Sequence, residues 1–144
     1  MSYVAEIQIK IRDLAALAAA CRRIDAEFCE GQTTFAWYGR FVGDSTPPAG
    51  RNPRDYGQCT HAIRVPGARY EVGVVQALDG DGWDLLWDSY DAGGLAGKLG
   101  AKAERLVQAY GVEAARAEAL RSGWACTEER QPDGTVLLHV NAGA

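Results

Sequence analysis

Two turn sequences constrain this chain more than anything else in it. Pro66-Gly67 and Asp79-Gly80-Asp81-Gly82 separate three segments rich in β-branched and apolar residues, at 59–65, 70–78 and 83–88. Connections this short join strands that run in opposite directions, because a parallel pair needs a crossover of a dozen or more residues. The three segments therefore read as an antiparallel meander. Ahead of them, residues 3–11 alternate. Ile7, Ile9 and Ile11 lie on one side and Glu6, Gln8 and Lys10 on the other, the pattern of a half-buried strand. Asp13 then offers an N-cap oxygen, and Leu14, Leu17, Cys21, Ile24 and Phe28 recur at helical spacing, which predicts a helix over 14–28. Residues 33–42 predict a further strand with Phe35, Trp37 and Phe41 on one face.

A long helix is expected over 95–122. Leu95, Leu99, Ala103, Leu106, Tyr110, Ala117 and Leu120 mark its buried stripe, while Gly97, Gly100 and Gly111 weaken it. The chain closes on a hairpin of 124–130 with 135–140, where Gly134 suits a left-handed bulge position. The order is thus β-α-β-β-β-β-α-β-β, an α+β fold with an antiparallel sheet and two helices packed on one face. With 144 residues and no dividing linker, 1–144 reads as one domain. Its irregular part is 43–58, a loop that holds three of the five prolines and so excludes helix and central strand. Loops of that length inside a compact domain are commonly functional or disordered.

Charge narrows the partners. The 15 Lys and Arg against 19 Asp and Glu give a net charge of -4, without the basic surface that double-stranded nucleic acid demands. Acid gathers in Asp79, Asp81, Asp84, Asp88 and Asp91 with no Lys or Arg among them, which suits a basic partner. No apolar run reaches the ~20 residues of a membrane span, and Glu6, Gln8 and Lys10 interrupt any signal-peptide pattern. The scattered Cys21, Cys29, Cys59 and Cys126 read as reduced thiols, so the expected compartment is the cytoplasm.

Motifs for established chemistries fail on inspection. Gly97-Lys98 lacks the phosphate-loop pattern, since Ala92 and Leu99 stand where a Gly and a Ser or Thr are required. Asp79, Asp81 and Asp84 resemble the start of a calcium loop, but the closing bidentate Glu falls at Tyr90. Cys59 and His61, two apart on an expected strand, share a face there and are weak zinc candidates with Cys29, Cys126 or His139. His61 and His139 are the available imidazole bases, and neither accompanies a nucleophile motif. No catalytic residue, resident metal or cofactor is therefore assigned.

Two features remain as candidate contact sites. In the loop, Arg51, Arg54 and Tyr56 gather on a proline-stiffened segment, and guanidinium forks with an aromatic face favour partner contacts. Around the acidic run, Trp83, Leu85 and Trp87 read as core, leaving Asp84, Asp88 and Tyr90 as contact residues. Charge reversal at both places is expected to abolish partner binding with thermal stability nearly unchanged. A second reading is a small-molecule- or metal-binding domain, or an enzyme, using the aromatic side of the sheet with Cys59 and His61. A third, single-stranded nucleic-acid binding, needs a sheet face lined by Arg40, Arg64 and Arg69.

Several segments in order resemble a family of cyanobacteria, plastids and phages called hypothetical chloroplast reading frame 35, or domain of unknown function 1257. They are Ile7-Gln8-Ile9-Lys10-Ile11-Arg12-Asp13-Leu14, Tyr70-Glu71-Val72-Gly73-Val74, Trp83-Asp84-Leu85-Leu86-Trp87-Asp88, Leu106-Val107-Gln108-Ala109-Tyr110 and Pro132-Asp133-Gly134-Thr135-Val136. The loop at 43–58 and the Gly-rich start of the long helix depart from the pattern. The resemblance implies no reaction. It implies a non-enzymatic accessory or adaptor protein whose partner is an ATPase of the AAA type or its client.

Overall fold

The structure is a computed structural model that describes residues 3–41, 43 and 46–141. In chain order its elements are β1 (Val4–Ile11), α1 (Leu14–Arg23), β2 (Glu27–Cys29), β3 (His61–Arg64), β4 (Glu71–Gln76), β5 (Trp83–Asp88), α2 (Leu95–Leu99), α3 (Glu104–Arg121), β6 (Ala125–Arg130) and β7 (Val136–Asn141). Five strands form one antiparallel sheet in the order β1-β5-β4-β3-β2, and β6 and β7 form a separate two-stranded sheet. The expected α+β class is observed, and the order of strands and helices along the chain broadly matches the expectation.

Alternation builds the sheet's two faces. Ile7, Ile11, Ile63, Val72, Val74, Leu85 and Trp87 point to the helices, where they meet Ala16, Leu17, Ala20 and Cys21 of α1 and Leu106, Ala109 and Tyr110 of α3. Asp13 caps α1 through a 3.0 Å bond from the Ala16 N–H, as the sequence implied. Tyr110 carries the packing into polar contact, its hydroxyl accepting from the backbone N–H groups of Arg12 and Asp13. The opposite face is covered by the chain between β2 and β3. Phe35 packs there on Ala62, Val75 and Leu86, joined by Cys29, Trp37 and Cys59. Gly73 lies under the Phe35 ring, in space that a Cβ would need.

Three expected elements differ. The first helix stops at Arg23, because Asp25 adopts a left-handed conformation (φ 60°) and the chain turns back with the Ala26 N–H bonded to the Cys21 carbonyl. Phe28 then sits in β2 opposite Ile63, reaching the same core by another route. Residues 33–41 form no strand beyond one bridge between Thr34 and Gln58, and Val42 lies outside the described residues. Their alternating aromatics serve the covering loop: the Tyr56 ring meets Trp37 and Phe41 edge-on at 5.3 and 6.0 Å. The long helix is broken between α2 and α3, where Gly100 (φ 102°) and the fully buried Ala103 (φ 57°) leave helical geometry.

Within the loop expected at 43–58, Arg51 reaches Asp84 and Tyr56 is buried, and Asp44 and Ser45 lie outside the described residues. Pro53–Asp55 makes one 3-10 turn, capped by the Asn52 side chain on the Arg54 N–H. Among the described residues, no helix is long and apolar enough to cross a membrane.

Candidate functional site

The residues singled out in the sequence fall into three different environments. Arg51 and Asp84 are partners. The Arg51 guanidinium donates to Asp84 Oδ2 at 2.7 Å and to the Gln76 carbonyl at 3.2 Å, with both side chains largely withdrawn from solvent. Asp88 is fully buried and accepts the backbone N–H groups of Tyr3, Tyr38 and Tyr90 at 3.0 to 3.1 Å. Tyr56 is buried under the loop, where burial holds its phenol above the ordinary range. Arg54 is exposed and Tyr90 half-buried, with the Tyr90 ring 5.8 Å from Tyr3. The expectation of surface contact residues is corrected for Tyr56, Asp84 and Asp88, which are buried. Of the singled-out arginines and aspartates only Arg51 and Asp84 meet, across the loop–sheet seam, where they hold the loop down.

The rest of the acidic run is also partly neutralised. Lys10 reaches Asp79 at 3.1 Å and Arg12 reaches Asp81 at 3.1 Å, tying β1 to the β4–β5 turn. Sequence proximity hid these cations, which come from a strand some seventy positions away.

Glu6 lies beside the Arg51–Asp84 pair and carries a raised pKa, first through desolvation and then through repulsion by Asp84. A carboxyl raised in the folded state binds its proton more tightly there than in the unfolded chain. It therefore costs stability as pH rises above the usual carboxylate range, and the cost vanishes at low pH. Glu6→Gln is expected to raise the melting temperature at neutral pH, with the gain gone near about pH 4. Paired thermal melts at the two pH values check this, and a gain that persists in acid would contradict it.

Cys59 and His61 do not share a face. The Cys59 thiol donates to the Gln32 carbonyl at 3.2 Å on the loop side, and its pKa is pushed up to about 11 by burial. His61 lies on the helix side between Phe28 and Trp83, each 5.3 Å away, and its Nδ1 accepts the Gly31 N–H. The strand begins only at His61, so alternation does not extend back to Cys59. Among the described residues, no group of three or more His, Cys, Asp or Glu side chains is placed to hold a metal. Arg40, Arg64 and Arg69 likewise line no common face. Arg64 pairs with Glu71 and Glu27, Arg40 sits 6.0 Å over the Tyr38 ring in the loop, and Arg69 lies in the turn before β4.

The concave site that sequence reading missed lies on the far side of the helices. The C-terminal hairpin packs across α3 through charge: Arg23 bonds Glu113 and Glu128 at 2.9 and 2.7 Å, and Arg116 bonds Glu128 at 2.5 Å. This clamp leaves a cleft of about 400 Å³ between the end of α1, the first half of α3 and the hairpin tip. Ile24, Ala109, Val112 and Val136 supply its apolar surface, and Arg105 and Arg130 its charge. Arg105 donates to the Lys98 carbonyl at 2.8 Å, and neither Arg105 nor Arg130 meets a carboxylate among the described residues. The Asp133 carboxylate, also at the cleft, is engaged by the Thr135 N–H and hydroxyl, which hold its pKa low. Such a surface favours an acidic group attached to an apolar body. Its residues come from three distant parts of the chain, so no local motif announced it.

No protein-family model matches the chain, and comparison with curated proteins and with solved structures finds no match.

Proposed function

We propose that this chain is a cytoplasmic, non-enzymatic accessory protein that binds another protein, and that the cleft between α3 and the hairpin receives an acidic, partly apolar segment of that partner. The observation that carries this reading is the pair Arg105 and Arg130, two guanidinium groups without carboxylate partners among the described residues, beside the apolar Val112 and Val136. Arg12, Arg23, Arg51, Arg64, Arg116 and Arg121 form ion pairs, and what sets Arg105 and Arg130 apart from the remaining arginines is that they line a concave, partly apolar surface. The family resemblance adds the class of partner to test first, an ATPase of the AAA type or its client.

The test compares complexes recovered gently from host lysate by native mass spectrometry, with and without ATP, for wild type, Arg105→Glu/Arg130→Glu and Arg54→Glu. A stoichiometric protein partner is expected with wild type, lost in the double variant and retained with Arg54→Glu. Retention by the double variant would remove the cleft from the interface. Loss with Arg54→Glu alone would return the contact to the loop.

A further inference from the structure

We infer that the chain self-associates into a two-fold dimer through the outer edge of β7, joining two hairpins into one four-stranded antiparallel sheet. The inference does not rest on the cleft. It begins from the turn at the hairpin tip, where the Gly134 N–H donates to the Gln131 carbonyl at 3.0 Å and the Gln131 N–H to the Thr135 carbonyl at 2.8 Å. With Gly134 at φ 89°, this is a type I turn closed by a glycine bulge. Gln131 and Thr135 are thus a hydrogen-bonded pair, and bonded pairs alternate along an antiparallel ladder. Leu137 and His139 direct their backbone groups to β6, opposite Glu129 and Thr127. Val136, Leu138 and Val140 direct theirs away from it, to an edge that no other described strand pairs.

That edge lacks the devices that keep strand edges apart. Its residues Val136-Leu137-Leu138-His139-Val140 include no Lys, Arg, Asp, Glu or Pro. The other edges are protected: β1 carries a register irregularity between Ile7 and Ile11 and Lys10 tied to Asp79, β2 has three residues, and β6 carries Glu128, Glu129 and Arg130. Of the six exposed large hydrophobic residues described, Trp124, Leu137 and Val140 belong to this hairpin or the turn leading into it, and Leu120 to the last turn of α3 beside it.

The occupant is a second copy, on grounds of charge. Antiparallel pairing about a two-fold at Leu138 sets Val136 against the partner's Val140 and Leu137 against the partner's His139. No two like charges then face each other, and His139 keeps its own Glu129 at 2.8 Å. The same operation on β6 would crowd its glutamates together. Both outward-facing rows of backbone groups are used at once, as an isologous contact requires. A single added strand falls at the small end of specific interfaces, so the dimer is expected to be reversible, with a dissociation constant in the micromolar range.

Sedimentation equilibrium of the full chain over a wide concentration range is the test, with hydrogen exchange as its local readout. Wild type is expected to shift from monomer to dimer. The amides of Leu138 and Val140 should gain protection with concentration, while those of Leu137 and His139 are protected throughout. Val140→Pro removes an outward N–H without touching the β6 ladder, and Leu137→Lys puts a cation on the exposed face of the new sheet. Each is expected to weaken dimerisation at least tenfold with the monomer's melting temperature retained. Should Val140→Pro fail to fold, Leu137→Lys decides, since Leu137 is half exposed. A wild type that stays monomeric, or a dimer that both variants leave intact, overturns the inference.

Discussion

Replacing Arg51 by alanine is expected to cost the fold about 3–4 kcal/mol, a large share of a domain's stability. The reason is the partner left behind. Asp84 is nearly buried, and without the guanidinium 2.7 Å away it stands uncompensated beside Glu6, whose own charge already opposes it. The Gln76 carbonyl also loses a donor. Arg51→Ala/Asp84→Asn should recover part of the loss, at least about 1 kcal/mol, because removing both charges removes the desolvation penalty that one alone leaves. Urea denaturation of the two single variants and the double gives the coupling energy directly. A cost below about 1 kcal/mol for Arg51→Ala would mean that the loop is held by its aromatic packing alone. Arg54→Ala, on the exposed side of the same turn, is expected to be near neutral. The loop arginines, read together in the sequence as one contact surface, thus have different tasks.

What was legible in the sequence follows from range. The alternation of Ile7, Ile9 and Ile11, the two tight turns of the meander and the Asp13 cap are local rules, and each acts as written. Phe28 shows where local rules become ambiguous: it fits the helical spacing after Ile24 and also a strand opposite Ile63, and only the turn at Asp25 chooses. Phe35 and Trp37 carry the spacing of a strand but use it to pin a loop on the second sheet face. Ala103 looks like an ordinary helical stripe position, yet its complete burial coincides with left-handed backbone at a helix break. The functional surfaces were less legible. Arg51 and Asp84 were both conspicuous, but 33 positions of sequence hid that they neutralise each other. The cleft needed α1, α3 and the hairpin in one place, and long-range packing of that kind leaves no spacing to read. For the β7 edge a signal was present, in five consecutive residues without a formal charge or proline beyond a tight turn.

The second large effect is expected at Asp88, which bonds three segments at once. One carboxylate oxygen accepts the N–H groups of Tyr3 and Tyr90, and the other accepts that of Tyr38. These belong to the approach to β1, the turn leaving β5 and the covering loop. A fully buried carboxylate that faces no cation among the described residues is held by these bonds, each stronger than a neutral pair for its charge. Asp88→Ala leaves three amide donors without that acceptor, at roughly 1–3 kcal/mol each but not additively, so a total near about 4 kcal/mol is expected. Asp88→Asn is the informative companion. Its amide oxygen can keep Tyr3 and Tyr90, while its NH2 group would confront the Tyr38 N–H, donor to donor. Its cost should be smaller, about 2 kcal/mol, and should appear first in the loop. Hydrogen exchange is expected to show the Tyr38 amide released in Asp88→Asn with β4 still protected, whereas Asp88→Ala also loosens the start of β1. If both variants cost the same and free the same amides, the charge rather than the geometry of Asp88 joins the strands to the loop.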